Sequence, residues 1–181
     1  MQVKIKKLKQ NAVIPKKAHD TDAGFDFTAI DVRIEESTGA IVYGTGIAIE
    51  IPENHVGLLF MRSSVANKDI DLTNAVGVID HGYIGEITFK YKPDMNMWDY
   101  AKTSNDTNED FFQFELEHGK IHYYHDAEDE FRKMTSIGRT YGLGERIGQL
   151  IILPYPKVEL IEVEELSETE RGVGAYGSTG N

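Results

Sequence analysis

The chain has 181 residues, a length suited to one domain with a sizeable core. It contains no cysteine, which excludes a disulfide framework, a thiolate zinc site and a cysteine nucleophile. Its 19 Lys and Arg against 30 Asp and Glu give a formal charge of −11, so general nucleic-acid binding is disfavoured and an anionic ligand needs a local cluster of Arg, backbone N–H groups or a metal ion.

The lysine-rich opening MQVKIKKLKQ is followed by no apolar h-region and does not read as a signal peptide. No apolar run is long enough to span a bilayer, so a cytoplasmic location without a membrane partner is expected. Short runs with period-two alternation, broken by Gly, Pro, Asn and Asp, then dominate. VKIKKL (3–8) alternates, and IVYGTGIAIEIP (41–52) reads as two strand pieces around a Gly-Thr-Gly kink. HVGLLFM (55–61) reads as a buried strand, and SSVANKDI (63–70) as a short helix with Ser63 or Ser64 at its N-cap. In GVIDHGYIGEITF (77–89) Asp80 interrupts an apolar run, His81-Gly82 reads as a tight hairpin turn, and alternation resumes at Ile87 and Phe89. Local chemistry makes Asp80 a turn residue, because Asp at a first turn position bonds the backbone N–H groups ahead of it.

Residues 92–141 differ in character. Their first part is polar and loop-like, yet they hold half of the chain's Phe, Tyr and Trp residues. Disordered segments are poor in aromatics, so a small ordered excursion is expected. Within it FFQFELEHGKIHYYH (111–125) reads as a hairpin turning at His118-Gly119, and DAEDEFRKMTSI (126–137) as a second short helix. RIGQLIILPYP (146–156) is a further strand, ELIEVEELSETE (159–170) passes from a strand-like start to an acidic linker, and RGVGAYGSTGN (171–181) is a Gly-rich arm. Strands at this spacing argue for a β-sandwich or barrel rather than βαβ units.

Several motif matches fail. Gly172-x-Gly174-x-x-Gly177 fits a dinucleotide pattern, but no helix and distant acidic residue can follow it. Gly119-Lys120 is followed by Ile121, not the Ser or Thr of a P-loop. His118, His122 and His125 have mixed strand parity, which favours a surface over a metal site. What remains is a set of polar islands: Asp26, Arg62-Ser63-Ser64, Asn74, Asp80, Gln149, and Arg171, Ser178 and Thr179 in the arm. Each alone has a simpler reading as a turn, cap or satisfied core amide. Together, Arg, Ser hydroxyls and Gly-rich backbone are phosphate-binding equipment. A positioned carboxylate can take a proton from water, and Tyr176 in the arm can stack on a planar base. This is an inventory for binding and hydrolysing a nucleoside polyphosphate.

In order along the chain, DAGFDFTA, RSSVANKDI, NAVGVIDHGYIGE, ERIGQLIILP and RGVGAYGSTG closely resemble the five motifs of the homotrimeric dUTP pyrophosphatases. The resemblance implies a mainly β fold, a distorted jelly-roll barrel of the β-clip kind with one or two short helices. It implies one β domain over 1–170, with 92–141 as an inserted excursion, and an arm at 171–181 that closes a neighbouring active site. The implied reaction converts dUTP to dUMP and pyrophosphate, limiting uracil incorporation into DNA and supplying dUMP for dTMP synthesis. The sites would be shared between the three subunits of a homotrimer.

The resemblance also implies roles. Asp80 would activate the water that attacks the α-phosphorus, and Gln149 would help hold that water or an α-phosphate oxygen. Ser63 would contact the oxygen bridging the α- and β-phosphates. Arg62 and Arg171 would bind phosphates, the latter from the arm along with Ser178 and Thr179, and Ser64 and Gly177 would also be substrate-binding. Asn74 and the backbone of Gly77, Val78 and Ile79 would read uracil, Tyr83 would underlie the deoxyribose, and Tyr176 would cover the base. Mg²⁺ would be held mainly by the triphosphate, with Asp26 touching its water shell. Ile84, Gly82, Ala175 and Tyr176 depart from the usual residues of the family without removing a proposed catalytic group. The excursion is longer than a strand connection needs, and some phage-encoded members resemble this chain in carrying one. Two alternatives stand beside this reading. The related dCTP deaminases share RSSVANKDI-like and IDHGYIG-like motifs, but a catalytic Glu of theirs aligns with Lys90. A regulator that docks a protein partner through 92–141 is the other.

Overall fold

The computed structural model describes residues 1–35, 37–93, 114–117, 120–123, 135, 138–169 and 172–173. In chain order the strands are β1 (Lys4–Lys7), β2 (Phe25–Thr28), β3 (Asp31–Glu35), β4 (Ala40–Glu50), β5 (His55–Phe60), β6 (Ile70–Leu72), β7 (Gly77–Ile79), β8 (Glu86–Pro93), β9 (Phe114–Glu117), β10 (Lys120–Tyr123) and β11 (Arg146–Pro154). A single-turn 3₁₀ helix, Ser63–Asn67, lies between β5 and β6. All strand pairings are antiparallel. One sheet runs β1-β4-β8-β6 with β3 also on β4, a second runs β2-β11-β5-β7, and β9 pairs with β10 separately. This is the mainly β, jelly-roll architecture expected.

The two larger sheets face each other across one core. Phe27 of β2 meets Phe89 of β8 at 5.8 Å between ring centroids. Tyr43, Tyr91 and Tyr141 form a mutually edge-on cluster at 5.8–6.3 Å, the arrangement that ring quadrupoles favour. Buried phenols need partners, and these have them: Tyr43 donates to the Tyr141 carbonyl at 2.9 Å and Tyr91 to the Ile147 carbonyl at 2.5 Å. Burial pushes the Tyr43 and Tyr91 phenols far above their ordinary range, so both remain donors. β11 approaches the opposite sheet closely because position 148 is Gly; a Cβ there would lie 2.0 Å from the Phe89 ring.

Several local expectations change. The Gly-Thr-Gly segment does not split a strand: β4 is continuous, with a register shift against β8 between Gly44 and Ala48 and Gly46 at φ +64°. β5 is not uniformly buried; Gly57 and Leu59 face the core while its other residues are half-buried. The short helix is capped by Arg62 in extended conformation with no side-chain cap bond, so neither serine is the N-cap. His81-Gly82 is a turn, with Tyr83 N–H donating to the Asp80 carbonyl at 3.2 Å and Gly82 at φ +95°, but it is not a hairpin. β7 pairs with β5 whereas β8 pairs with β4 and β6, so this turn carries the chain from one sheet to the other. Residues 155–169 form no strand. β9 and β10 pair antiparallel with Glu117 opposite Lys120, while the expected turn at His118-Gly119 lies outside the described residues. The expected helix at 126–137, apart from Thr135, and the side chains of His118, His122 and His125 lie outside the described residues.

Candidate active site

Three adjacent strands build a polar cavity of about 290 Å³. Gln149 of β11 is opposite Asp26 of β2 on one side and Phe60 of β5 on the other. Directly opposed residues share a face, and Arg62, two residues beyond Phe60, comes to the same side as the chain leaves β5. Asp26, Arg62, Ser63 and Gln149 therefore line one cavity, whose other wall is the loop Asp22-Ala23-Gly24 with Ala18.

The cavity is held by directional contacts. Asp26 accepts from Arg62 Nε at 2.8 Å through one oxygen and from Arg146 Nη1 at 3.0 Å through the other. The Asp26 side chain is 12% exposed and that of Arg62 22%, so this pair is shielded enough to hold its geometry. Arg62 Nη1 donates to Ser64 Oγ at 3.5 Å. Gln149 Nε2 donates to the Met61 carbonyl at 3.1 Å, which turns its Oε1 toward Gly24. A Cβ on Gly24 would lie 2.1 Å from that oxygen. Asp22 accepts from the His19 N–H at 2.9 Å and serves its own loop. Ser63 is exposed at the cavity edge.

Asp80, Asn74 and Tyr83 do not line this cavity. Ile79 is level with Gly57 of β5, so Asp80 leaves near the level of Val56, whereas Arg62 lies beyond Phe60 at the other end. At about 3.3 Å per residue these levels are on the order of 20 Å apart. Asp80 is exposed on a turn anchored by His81, whose Nδ1 donates to the Ile51 carbonyl at 2.7 Å. Tyr83 donates to the Glu86 carbonyl at 2.9 Å, and its ring lies against Gly85, where a Cβ would come within 2.6 Å of the phenol oxygen. Asn74 is exposed in a turn where Val76 N–H donates to its carbonyl at 2.5 Å and Ala75 has φ 56°. Gly77 is buried beside Leu59, Val78 is exposed and Ile79 half-buried. One chain thus carries two separate groups of candidate residues. Arg171, Tyr176, Gly177, Ser178 and Thr179 lie outside the described residues.

Three contributors went unread in the sequence. Arg146 holds the second oxygen of Asp26 from 120 residues away, Gly24 makes room for Gln149, and Tyr141 reaches Ser64 at 3.2 Å. Lys90 forms an ion pair with Glu35 at 2.5 Å and does not line the cavity. No group of three or more His, Asp or Glu residues suited to a metal ion occurs among the described residues.

The chain is similar over its whole length to curated proteins named deoxyuridine 5'-triphosphate nucleotidohydrolase. That of Crocosphaera subtropica is 35% identical over 181 residues, covering 99% of both chains. This chain belongs to the dUTPase family. The dUTPase family model itself matches residues 10–94, which contain the Asp26, Arg62-Ser63 and Asp80 segments. The Nautilia profundicola dUTPase is also 35% identical, again over 99% of each chain. Among solved structures, the dUTPase of Staphylococcus bacteriophage 80alpha with dUpNHpp is 31% identical over 99% of each chain, with a TM-score of 0.67. A mutant dUTPase of phage phi11 of S. aureus, which coordinates a structural Mg(II) ion, is 26% identical over 91% of this chain and 98% of that one, with a TM-score of 0.61.

Proposed function

We propose that this protein hydrolyses dUTP to dUMP and pyrophosphate. The observation that carries this reading is the convergence of Asp26, Arg62, Ser63 and Gln149 on one cavity in a chain of the dUTPase family. Arg62 retains N–H groups beyond those spent on Asp26 and Ser64 and meets phosphate oxygens. The Ser63 hydroxyl donates to the oxygen bridging the α- and β-phosphates, where negative charge develops as that bond breaks. Gln149 Nε2 spends one hydrogen on the Met61 carbonyl, which fixes the amide, and its Oε1 accepts a hydrogen from the attacking water. Asp80 takes the other proton of that water, the water oxygen bonds to the α-phosphorus, and pyrophosphate departs. Asn74 with the Gly77–Ile79 backbone reads uracil, and Tyr83 lies under the sugar. Arg171, Gly177, Ser178, Thr179 and Tyr176 of the arm, with Ser64, complete the enclosure and exclude water.

Asp26 suits a Mg²⁺ ion bound mainly by triphosphate oxygens. Both its oxygens already accept from arginines, which fits contact with the ion's water shell better than direct ligation. Bound there, the ion supplies neutralisation of triphosphate charge.

A homotrimer with shared sites is part of the same reading, and the spacing of the two groups in one chain supports sharing between copies. The α-phosphorus and the bridging oxygen next to it cannot both be served by Asp80 and Ser63 of one chain if those groups stand on the order of 20 Å apart. A second copy brings an Asp80 turn to the cavity of the first. Residues 155–169 support this assembly: after Tyr155 N–H bonds the Asn54 carbonyl, Leu160, Ile161 and Leu166 are 76–93% exposed, surface that a neighbouring copy would cover. A protein partner at the excursion is a second reading, favoured by β9 and β10, which form a sheet apart from the other two.

A substrate panel of dUTP, dCTP, UTP and dTTP with Mg²⁺ tests the proposal. Release of dUMP from dUTP, with little turnover of the other three, is expected. Ammonia release from dCTP would instead assign the deaminase chemistry. Deletion of 94–134 separates the two views of the excursion: retained dUTP turnover is expected of an interaction module, and lost turnover of a catalytic part.

A further inference from the structure

We propose that Tyr141 is a positioning residue for the phosphate end of the cavity, acting through Ser64 on Arg62. Tyr141 lies where the chain returns from the excursion, just before β11, and is 2% exposed. Its ring is fixed on three sides, edge-on to Tyr43 and Tyr91 at 6.3 and 5.8 Å and under Lys68 Nζ at 5.0 Å. Its carbonyl accepts from the Tyr43 phenol at 2.9 Å, and Lys68 also donates to the neighbouring Thr140 carbonyl at 2.8 Å. Ring and backbone are therefore committed to the core, while the phenol oxygen sits 3.2 Å from Ser64 Oγ.

Either hydroxyl of this pair can donate, and the phenol is taken as the donor because its oxygen has no other hydrogen-bond partner among the described residues. Desolvation raises the ionisation of the Tyr141 phenol above its ordinary range. The phenol keeps its hydrogen, and a buried hydroxyl hydrogen needs an acceptor. Ser64 Oγ is that acceptor. It also receives Arg62 Nη1, so it takes two hydrogens and turns its own away from both donors. Arg62 is thereby held at two edges, by Asp26 at Nε and by Ser64 at Nη1. The Ser64 hydrogen is left to donate beside the guanidinium, where an anionic oxygen is bound. Without the phenol, Ser64 is free to rotate, and one of the two restraints on Arg62 loosens.

The inference rests on the dUTP reading for its substrate, and the wild-type substrate panel judges that reading separately. Tyr141→Phe removes one hydroxyl and keeps the ring. The expected result is a KM for dUTP raised about 3- to 10-fold, with the affinity for inorganic pyrophosphate, measured by calorimetry with Mg²⁺, weakened by a similar factor. Competitive inhibition by deoxyuridine, which has no phosphate, is expected to stay the same. In a Ser64→Ala background, adding Tyr141→Phe should change neither quantity by more than about 2-fold. Equal losses in both backgrounds, an equal loss for deoxyuridine, or unchanged pyrophosphate affinity in the single variant would each overturn the proposal. Ser64→Ala alone provides a check that leaves the aromatic cluster untouched: its pyrophosphate affinity must fall at least as far as that of Tyr141→Phe.

Discussion

Gly24 and Gln149 fit so closely that neither position is independent of the other. A methyl group at Gly24 meets Gln149 Oε1, Cδ and Cβ at 2.1, 3.0 and 3.2 Å. The amide must swing out, and its bond to the Met61 carbonyl breaks. Gly24→Ala is therefore expected to lower kcat for dUTP roughly 10- to 100-fold, the scale of a small misplacement at a reacting centre, while the thermal midpoint changes little. An unchanged kcat would show that Gln149 plays no part in turnover. At this scale the sequence was informative about residue type. Asp26, Arg62, Ser63 and Gln149 stood out because polar groups interrupt strands that otherwise alternate. Arg146 and Gly24 did not stand out, because their roles depend on cross-strand register. An arginine at a strand end and a glycine in a loop look alike whether or not an Asp or a Gln faces them.

Among the elements, β11 connects core and cavity. Gln149 faces the site, while its neighbour Gly148 gives way to the Phe89 ring. Gly148→Ala forces that buried ring aside and is expected to reduce stability by about 1–3 kcal/mol, read from the urea midpoint. The β3–β4 hairpin gives a pH prediction. The Lys90 hydrogen bond, and then that of Thr38, hold Glu35 below its ordinary value of 4.5, and the Lys9 hydrogen bond holds Asp31 below 3.8. A lowered carboxyl contributes stability above its ordinary value, and that contribution disappears as pH falls through the lowered one. Thermal midpoints should therefore decline below about pH 4.5, and less steeply in a Lys9→Met, Lys90→Met variant; parallel declines would remove these pairs as the cause. Strand positions were legible from period-two alternation, and sheet membership was not. The turn chemistry of Asp80-His81-Gly82 serves a hairpin and a crossing between sheets equally well, and only the partners of β7 and β8 decide between them. The missing serine cap has a similar cause: Ser63 lies at the cavity and Ser64 bonds Arg62 Nη1 and the Tyr141 phenol, the latter a contact distant in sequence.

For the whole molecule, the decisive feature is that one chain does not bring the Asp80 turn to the cavity lined by Asp26, Arg62, Ser63 and Gln149. Five motifs in order pointed to a single chemistry, but their order along the chain carries no distance. β7 sets Asp80 at one end of β5, and the exit of β5 sets Arg62 and Ser63 at the other. The exposed apolar side chains of 155–169 point the same way, toward further copies of the chain. Deleting 171–181 is expected to raise KM for dUTP and lower kcat while leaving the oligomer intact by light scattering, as the proposed role of this segment in enclosing the substrate requires. The central claim is that each site combines the cavity of one copy with the Asp80 turn of another. Asp80→Asn and Arg62→Ala chains, each inactive alone, can be co-expressed with different tags and the mixed oligomer purified through both. The account predicts that this mixed oligomer regains dUTP turnover at a substantial fraction of the wild-type rate, since some of its sites pair an intact cavity with an intact Asp80. A mixed oligomer as inactive as its two parents would contradict it.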